Sequence, residues 1–130
     1  MYQMTDAAFS EARRYCIHRH AIVEDRCWFN SLYTRVVPSH AIELTAVLLD
    51  HNVTAVLARQ ANVTASPQQE QDLAAVTHLC GAGLAQAFAR RGFHLIVGER
   101  CGDHDVAAYL DRVNAMKQLF LHLATDRANP

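Results

Sequence analysis

The stretch on which the fold turns runs from Ser66 to Gly92 and reads SPQQEQDLAAVTHLCGAGLAQAFARRG. Ser66 is a good N-cap, because its hydroxyl can accept from an orphan N–H of the first turn. Pro67 falls on the first helical position, where no N–H is required. Gln69 stands where a capping box places Glu or Gln. Glu70 and Asp72 lie in the opening turns, and Arg90 and Arg91 in the last, in keeping with the helix dipole. Gly92 offers the left-handed residue that ends a helix, and Phe93 can fold back on Phe88. The spacing predicts one helix from Pro67 onward, with Leu73, Val76, Cys80, Leu84 and Phe88 near one face. In its middle, Gly81-Ala82-Gly83 is nearly bare of side chain. Gly81 and Gly83 are therefore expected to be a close-packing point against another helix.

Composition agrees with helices. A chain of 130 residues is long enough for one domain with a single core. All five Gly lie between Gly81 and Gly102, and there are three Pro, too few for the turns of a sandwich or barrel. Hydrophobic residues make up 51%, which excludes a disordered tail protein. The expected fold is all-α: a compact bundle of about five helices forming a single domain over 1–130, with a minor β element near 93–98.

Taken in order, Thr5 or Asp6 can cap a first helix carrying Phe9, Ala12, Cys16 and Ile17. A second helix would carry Ile22, Val23, Cys27, Phe29, Leu32, Tyr33 and Val36, with Trp28 at the edge of the core. Pro38-Ser39 breaks the chain, and Ser39 can cap a third helix with Ile42, Ala46, Leu49, Val53 and Val56 on one face. Asn52 could open a separate short helix instead. A hairpin around Asp50-His51-Asn52 is the rival reading, disfavoured by the Ala content and by a turn without Gly. After the organising helix, FHLIVGERCG is the most strand-like run in the chain. Asp103 then caps a last helix, with Val106, Tyr109, Val113, Met116, Phe120 and Leu123 at a and d positions. Leu119 and Leu121 lie outside that stripe. Leu119, Phe120 and Leu121 together leave the helix end apolar nearly all round, and are the expected interface.

Charge excludes some partners. The net formal charge is −1, and no segment forms a basic stripe, so binding to nucleic acid through its phosphates is not expected. Met1 to Asp6 is polar and opens no signal sequence, and no run of about eighteen apolar residues suggests a membrane span. Four Cys without a signal sequence are expected to be free thiols in a reducing cytoplasm.

Several stretches carry residue types that do chemistry. Cys16-Ile17-His18-Arg19-His20 and His78-Leu79-Cys80 have donors two apart, which a helix turns to opposite sides. Cys101 and His104 alone have a usable spacing for zinc, as weak metal candidates at a loop–helix junction. Cys101 also has Asp103 and His104 near it, but covalent catalysis needs a base placed across space, which adjacency in sequence does not supply. VTHLCGAGLAQAFARRGFHLIVGER resembles the first strand–turn–helix–strand of a short-chain dehydrogenase. That resemblance implies a pyrophosphate held on a helix N-terminus, with Val76-Thr77 at a strand end and Phe93–Gly98 as the second strand. His78 or Leu79 replaces the first glycine of that pattern, and the cap at Ser66-Pro67 favours one continuous helix. VTAVLARQANVTAS, residues 53–66, resembles the opening of a repressor headpiece through Leu57-Ala58, Ala61, Val63 and Thr64. Its reading helix would begin Gln68-Gln69-Glu70-Gln71-Asp72, whose acids would face phosphates.

The functional expectation is a small, non-enzymatic, cytoplasmic and bacterial protein without a cofactor. It would act on another protein, or on itself as a homo-oligomer, as an adaptor, inhibitor, immunity protein or small subunit. The alternatives are a DNA-binding regulator using residues 53–72, and a Cys/His metal-binding or thiol-dependent protein.

Overall fold

The computed structural model describes residues 6–18, 21–23, 38–60 and 63–128. Among the described residues the chain is mainly helical, with four helices rather than about five. In order they are α1 (Asp6–Ala12), strands β1 (Cys16–His18) and β2 (Ala21–Val23), α2 (Pro38–Ala58), α3 (Pro67–Arg90), strands β3 (Arg100–Cys101) and β4 (His104–Asp105), and α4 (Val106–Ala128). Each strand pair is antiparallel. The chain divides into two units, Met1–Asn52 and Val53–Pro130.

In the first unit the expected helix through Ile17 stops at Ala12. Cys16, Ile17 and His18 instead pair with Val23, Ile22 and Ala21. Branched side chains such as Ile and Val lose less freedom in a strand than in a helix. The expected second helix falls largely on 24–37, outside the described residues. α2 begins at Pro38 itself rather than after a Ser39 cap; its fixed φ suits a first turn. The helix runs unbroken through Asn52, so neither the hairpin nor a separate short helix forms. Its buried face at this end is Leu44 and Leu48, which cluster with Ala12 and Ile17. Ile42, assigned to the buried face by spacing, is 50% exposed.

α3 organises the second unit, and its ends follow the sequence closely. The Ser66 side chain accepts from the Gln69 N–H, and Gln69 accepts from the Ser66 N–H at 2.8 Å, completing the capping box. At the other end Gly92 has φ 68°, with its N–H donated to the Ala89 carbonyl and the Phe93 N–H to the Phe88 carbonyl. These are the two bonds of a Schellman ending. The Phe93 ring meets Phe88 edge-on at 5.8 Å.

The middle of α3 differs from expectation. Gly81 and Gly83 are exposed, and a Cβ at either would meet no described heavy atom within 4 Å. Among the described residues they are not a close-packing point. Gly81 instead leaves helical geometry, with φ 77° and ψ 178°, a region open in practice only to glycine. The gain is rotational. At 100° per residue, an unbroken helix would point Val76 roughly 180° away from Ala85 and roughly 140° from Ala89, while Phe88 would stay within about 60° of Leu73. With the break, Leu73 and Val76 share one core with Ala85, Phe88 and Ala89, joined by Val53, Val56, Val106 and Leu110.

The β element lies at Arg100–Asp105, beyond the run proposed for it. Residues 93–98 form no strand. α4 is capped by Asp105 rather than Asp103: its Oδ1 accepts from the Ala108 N–H at 2.8 Å. Since Val76-Thr77 is helical and Phe93–Gly98 is not a strand, the dehydrogenase-like reading of this stretch has no structural counterpart.

Candidate interaction site

Within the second unit α3 and α4 lie side by side, and polar side chains mark where α3 begins along α4. Gln68 Nε2 donates to Asn114 Oδ1 at 3.0 Å, and Asn114 Nδ2 donates to Asp72 Oδ1 at 3.1 Å. Lys117 Nζ donates to Gln71 Oε1 at 2.8 Å and also to Gln68 Oε1. These bonds occupy the side chains that a DNA-reading helix would have to present, Gln68 and Gln71. α3 ends its run here, at Pro67. α4 continues to Ala128, so residues 118–128 project past its neighbour by about 16 Å at 1.5 Å per residue.

The first half of α4 behaves as the heptad pattern predicts. Val106 and Leu110 are buried, and Tyr109 and Val113 pack against the same core. Burial raises the Tyr109 phenol above its usual value of 10.0, and Arg112 opposes the shift. The second half has nothing to lie on among the described residues. Met116, Leu119, Phe120, Leu121 and Leu123 are 53, 52, 64, 56 and 50% exposed. Every residue from Gln118 to Ala128 is exposed. At 100° per residue, these apolar side chains with Ala124 sweep an arc of about 200°, which also holds Lys117 and Arg127, leaving Gln118, His122, Thr125 and Asp126 the remainder. The sequence picked out Leu119, Phe120 and Leu121, and the structure brings Met116 and Leu123 into the same surface.

A second apolar feature was missed. Ile96 is 57% exposed and Val97 fully exposed at 102%. They sit in a turn closed by the Glu99 N–H donating to the Ile96 carbonyl at 3.0 Å. The run LIV was legible, but as a strand.

Cys101 is not a metal ligand or a free nucleophile here, because it forms a disulfide with Cys80, Cα to Cα 5.5 Å. Cys16 is disulfide-bonded as well. The free thiols expected of a reducing cytoplasm are therefore replaced by bonds that persist in oxidising compartments, and the cytoplasmic expectation loses that support. Cys101 and His104 are instead register partners in the β3–β4 pair. Among the described residues no group of three His, Cys, Asp or Glu side chains could hold a metal ion. One helical window, Ala41–Ala58, is long and apolar enough to cross a membrane by length and composition, with mean hydropathy 1.4 and 28% of it buried in the protein. No such window was expected from the sequence.

No protein-family model, no curated protein and no solved structure matches the chain.

Proposed function

We propose that the protein acts by binding another protein chain, either a different protein or a second copy of itself, through the projecting end of α4. One observation carries this reading: five large apolar side chains on residues 116–123, each at least half exposed, on a helix that has outrun its neighbour. A patch of this kind is a common mark of an association site. The width of the arc adds to it. A single helix covers an apolar stripe of roughly 100°, so an arc about twice that wide calls for a groove between two helices. An adaptor, an inhibitor or a small subunit would each use such a helix in the same way.

The test is the double variant Leu119→Gln, Leu121→Gln in the full chain. It should melt as the parent does, since neither side chain is buried. It should lose the self-association or stoichiometric partner seen for the parent by sedimentation velocity. Unfolding of the variant, or undiminished association, would overturn the reading.

A further inference from the structure

α3 follows one line along α4 and then stops. The core built on α3 takes in Val106, Leu110 and Val113. Its first turns bond Asn114 and Lys117. At 100° per residue these five positions of α4 fall within an arc of about 100°. The same arc holds Leu121, Ala124 and Ala128, which lie beyond the start of α3 and are exposed. The track that α3 covers therefore runs on past Lys117 for about 16 Å, bare among the described residues.

We infer that a second copy of this chain fills that track, with the two α4 ends antiparallel and related by a two-fold axis. The pairing rests on the reading of α4 as an association site and names its occupant.

Direction and length are the first reason. α3 runs opposite to α4, since Gln68 lies beside Asn114 while Phe88 and Ala89 share a core with Val106. A helix that continues its line must run the same way and end where α3 begins. The projecting end of a second α4, set antiparallel, does both. Its length is that of the bare track, because the two are the same segment.

Shape is the second reason. A register that sets Leu121 against Ala124 of the second copy also sets Ala124 against its Leu121. Large thus meets small on both sides of the axis, as close packing requires. The same register brings Lys117 level with Ala128 of the second copy.

Charge is the third reason. Lys117 then stands at the last carbonyls of the second α4, which have no partner within their own helix and favour a cation. That negative helix end also meets the positive N-terminus of α3. Arg127 of the second copy stands about 90° around its helix from the middle of the seam, toward the opening turns of α3, which carry Glu70 and Asp72. Asp126 is turned about 170° away from the seam. A parallel pair would instead set Leu121 on Leu121 and Lys117 on Lys117, a like-charge contact.

The test uses the purified full chain with its disulfides intact. By sedimentation equilibrium the parent should be a dimer. Ala124→Asp should still unfold cooperatively and should raise the dimer dissociation constant at least tenfold. Leu119→Asp should leave the dimer intact, because Leu119 lies nearly opposite the seam. Under mild oxidation Ala128→Cys should not cross-link to itself, since the two ends lie about 16 Å apart, whereas mixing it with Lys117→Cys should give a cross-linked dimer. A monomeric parent would overturn the pairing and leave a different protein as the partner of α4. Self-cross-linking of Ala128→Cys, or unfolding of Ala124→Asp, would also overturn it. If Leu119→Asp alone dissolves the dimer, α4 associates through its other face, so the pairing fails and the α4 reading stands. If neither variant disturbs a parent dimer, both fail.

Discussion

Replacing Phe88 by Ala tests whether α3 closes on its own core as described. The side chain is 2% exposed and lies among Leu73, Val76, Ala85, Val106 and Leu110. Truncating a buried Phe costs about 3–5 kcal/mol, from lost transfer energy plus the cavity left behind. Part of that loss belongs to the edge-on contact with Phe93 at 5.8 Å, a geometry worth about 0.5–1.5 kcal/mol beyond burial. A small domain is stable by only about 5–15 kcal/mol, so the variant should be folded but weakened. With a urea dependence of about 2 kcal/mol per molar, its midpoint should fall by about 1.5–2.5 M. Phe93→Ala and the double variant complete a cycle whose coupling should match the ring contact. The measurement is urea unfolding followed by circular dichroism. A loss below about 1 kcal/mol for Phe88→Ala, or no coupling, would mean that the helix end does not close on this core.

Four further outcomes follow from the same structure. Gly81→Ala should cost about 1–3 kcal/mol, because its φ of 77° suits only glycine, whereas Gly83→Ala should stabilise by about 0.5–1 kcal/mol in open space; equal effects in thermal melts would contradict the break. Cys80→Ser with Cys101→Ser opens a loop of sequence separation 21 and should cost about 3 kcal/mol by loop entropy; maleimide labelling of either thiol in the unreduced native protein would disprove the pairing. Ser66→Ala removes the capping hydroxyl and should cost about 1 kcal/mol, with no change in melting as the contrary result. Tyr109 is raised above 10.0 in the folded chain, so the native state keeps its proton where the unfolded state has lost it. Stability should therefore fall as pH climbs through 10 toward the folded value, and Tyr109→Phe should flatten that part of the profile.

What the sequence made legible was local chemistry. Ser66, Pro67 and Gln69 announce a helix start through side chains within one turn of each other. Gly92 and Phe93 announce its end in the same way. The break at Gly81 was not legible, because glycine serves both close packing and positive φ, and only the placement of Val76 and Ala85 in one core selects between them. Nor was the pairing of Cys80 with Cys101, which depends on how β3 returns to α3. Along α4, heptad spacing correctly put Val106, Tyr109 and Val113 toward the core, whereas Met116 and Phe120 on the same stripe are exposed. It could not say how far α3 would reach beside them. The cap at Ser66-Pro67 fixes where α3 starts. Its level along α4, beside Lys117, is a tertiary fact.

The central claim is that residues 118–128 form a helix that the described residues leave uncovered. Amide hydrogen exchange of the dilute, unassembled chain measures this directly. A helical end without tertiary contacts is marginal in water, so amides of 118–128 should exchange within about tenfold of the unfolded rate, while those of Leu73–Val76, Ala85–Ala89 and Leu110 are protected by several orders of magnitude. On assembly, the same amides of 118–128 should become protected. Protection of Leu119, Phe120 and Leu121 equal to that of Leu110 in the dilute chain would contradict the account, because the end of α4 would then be core.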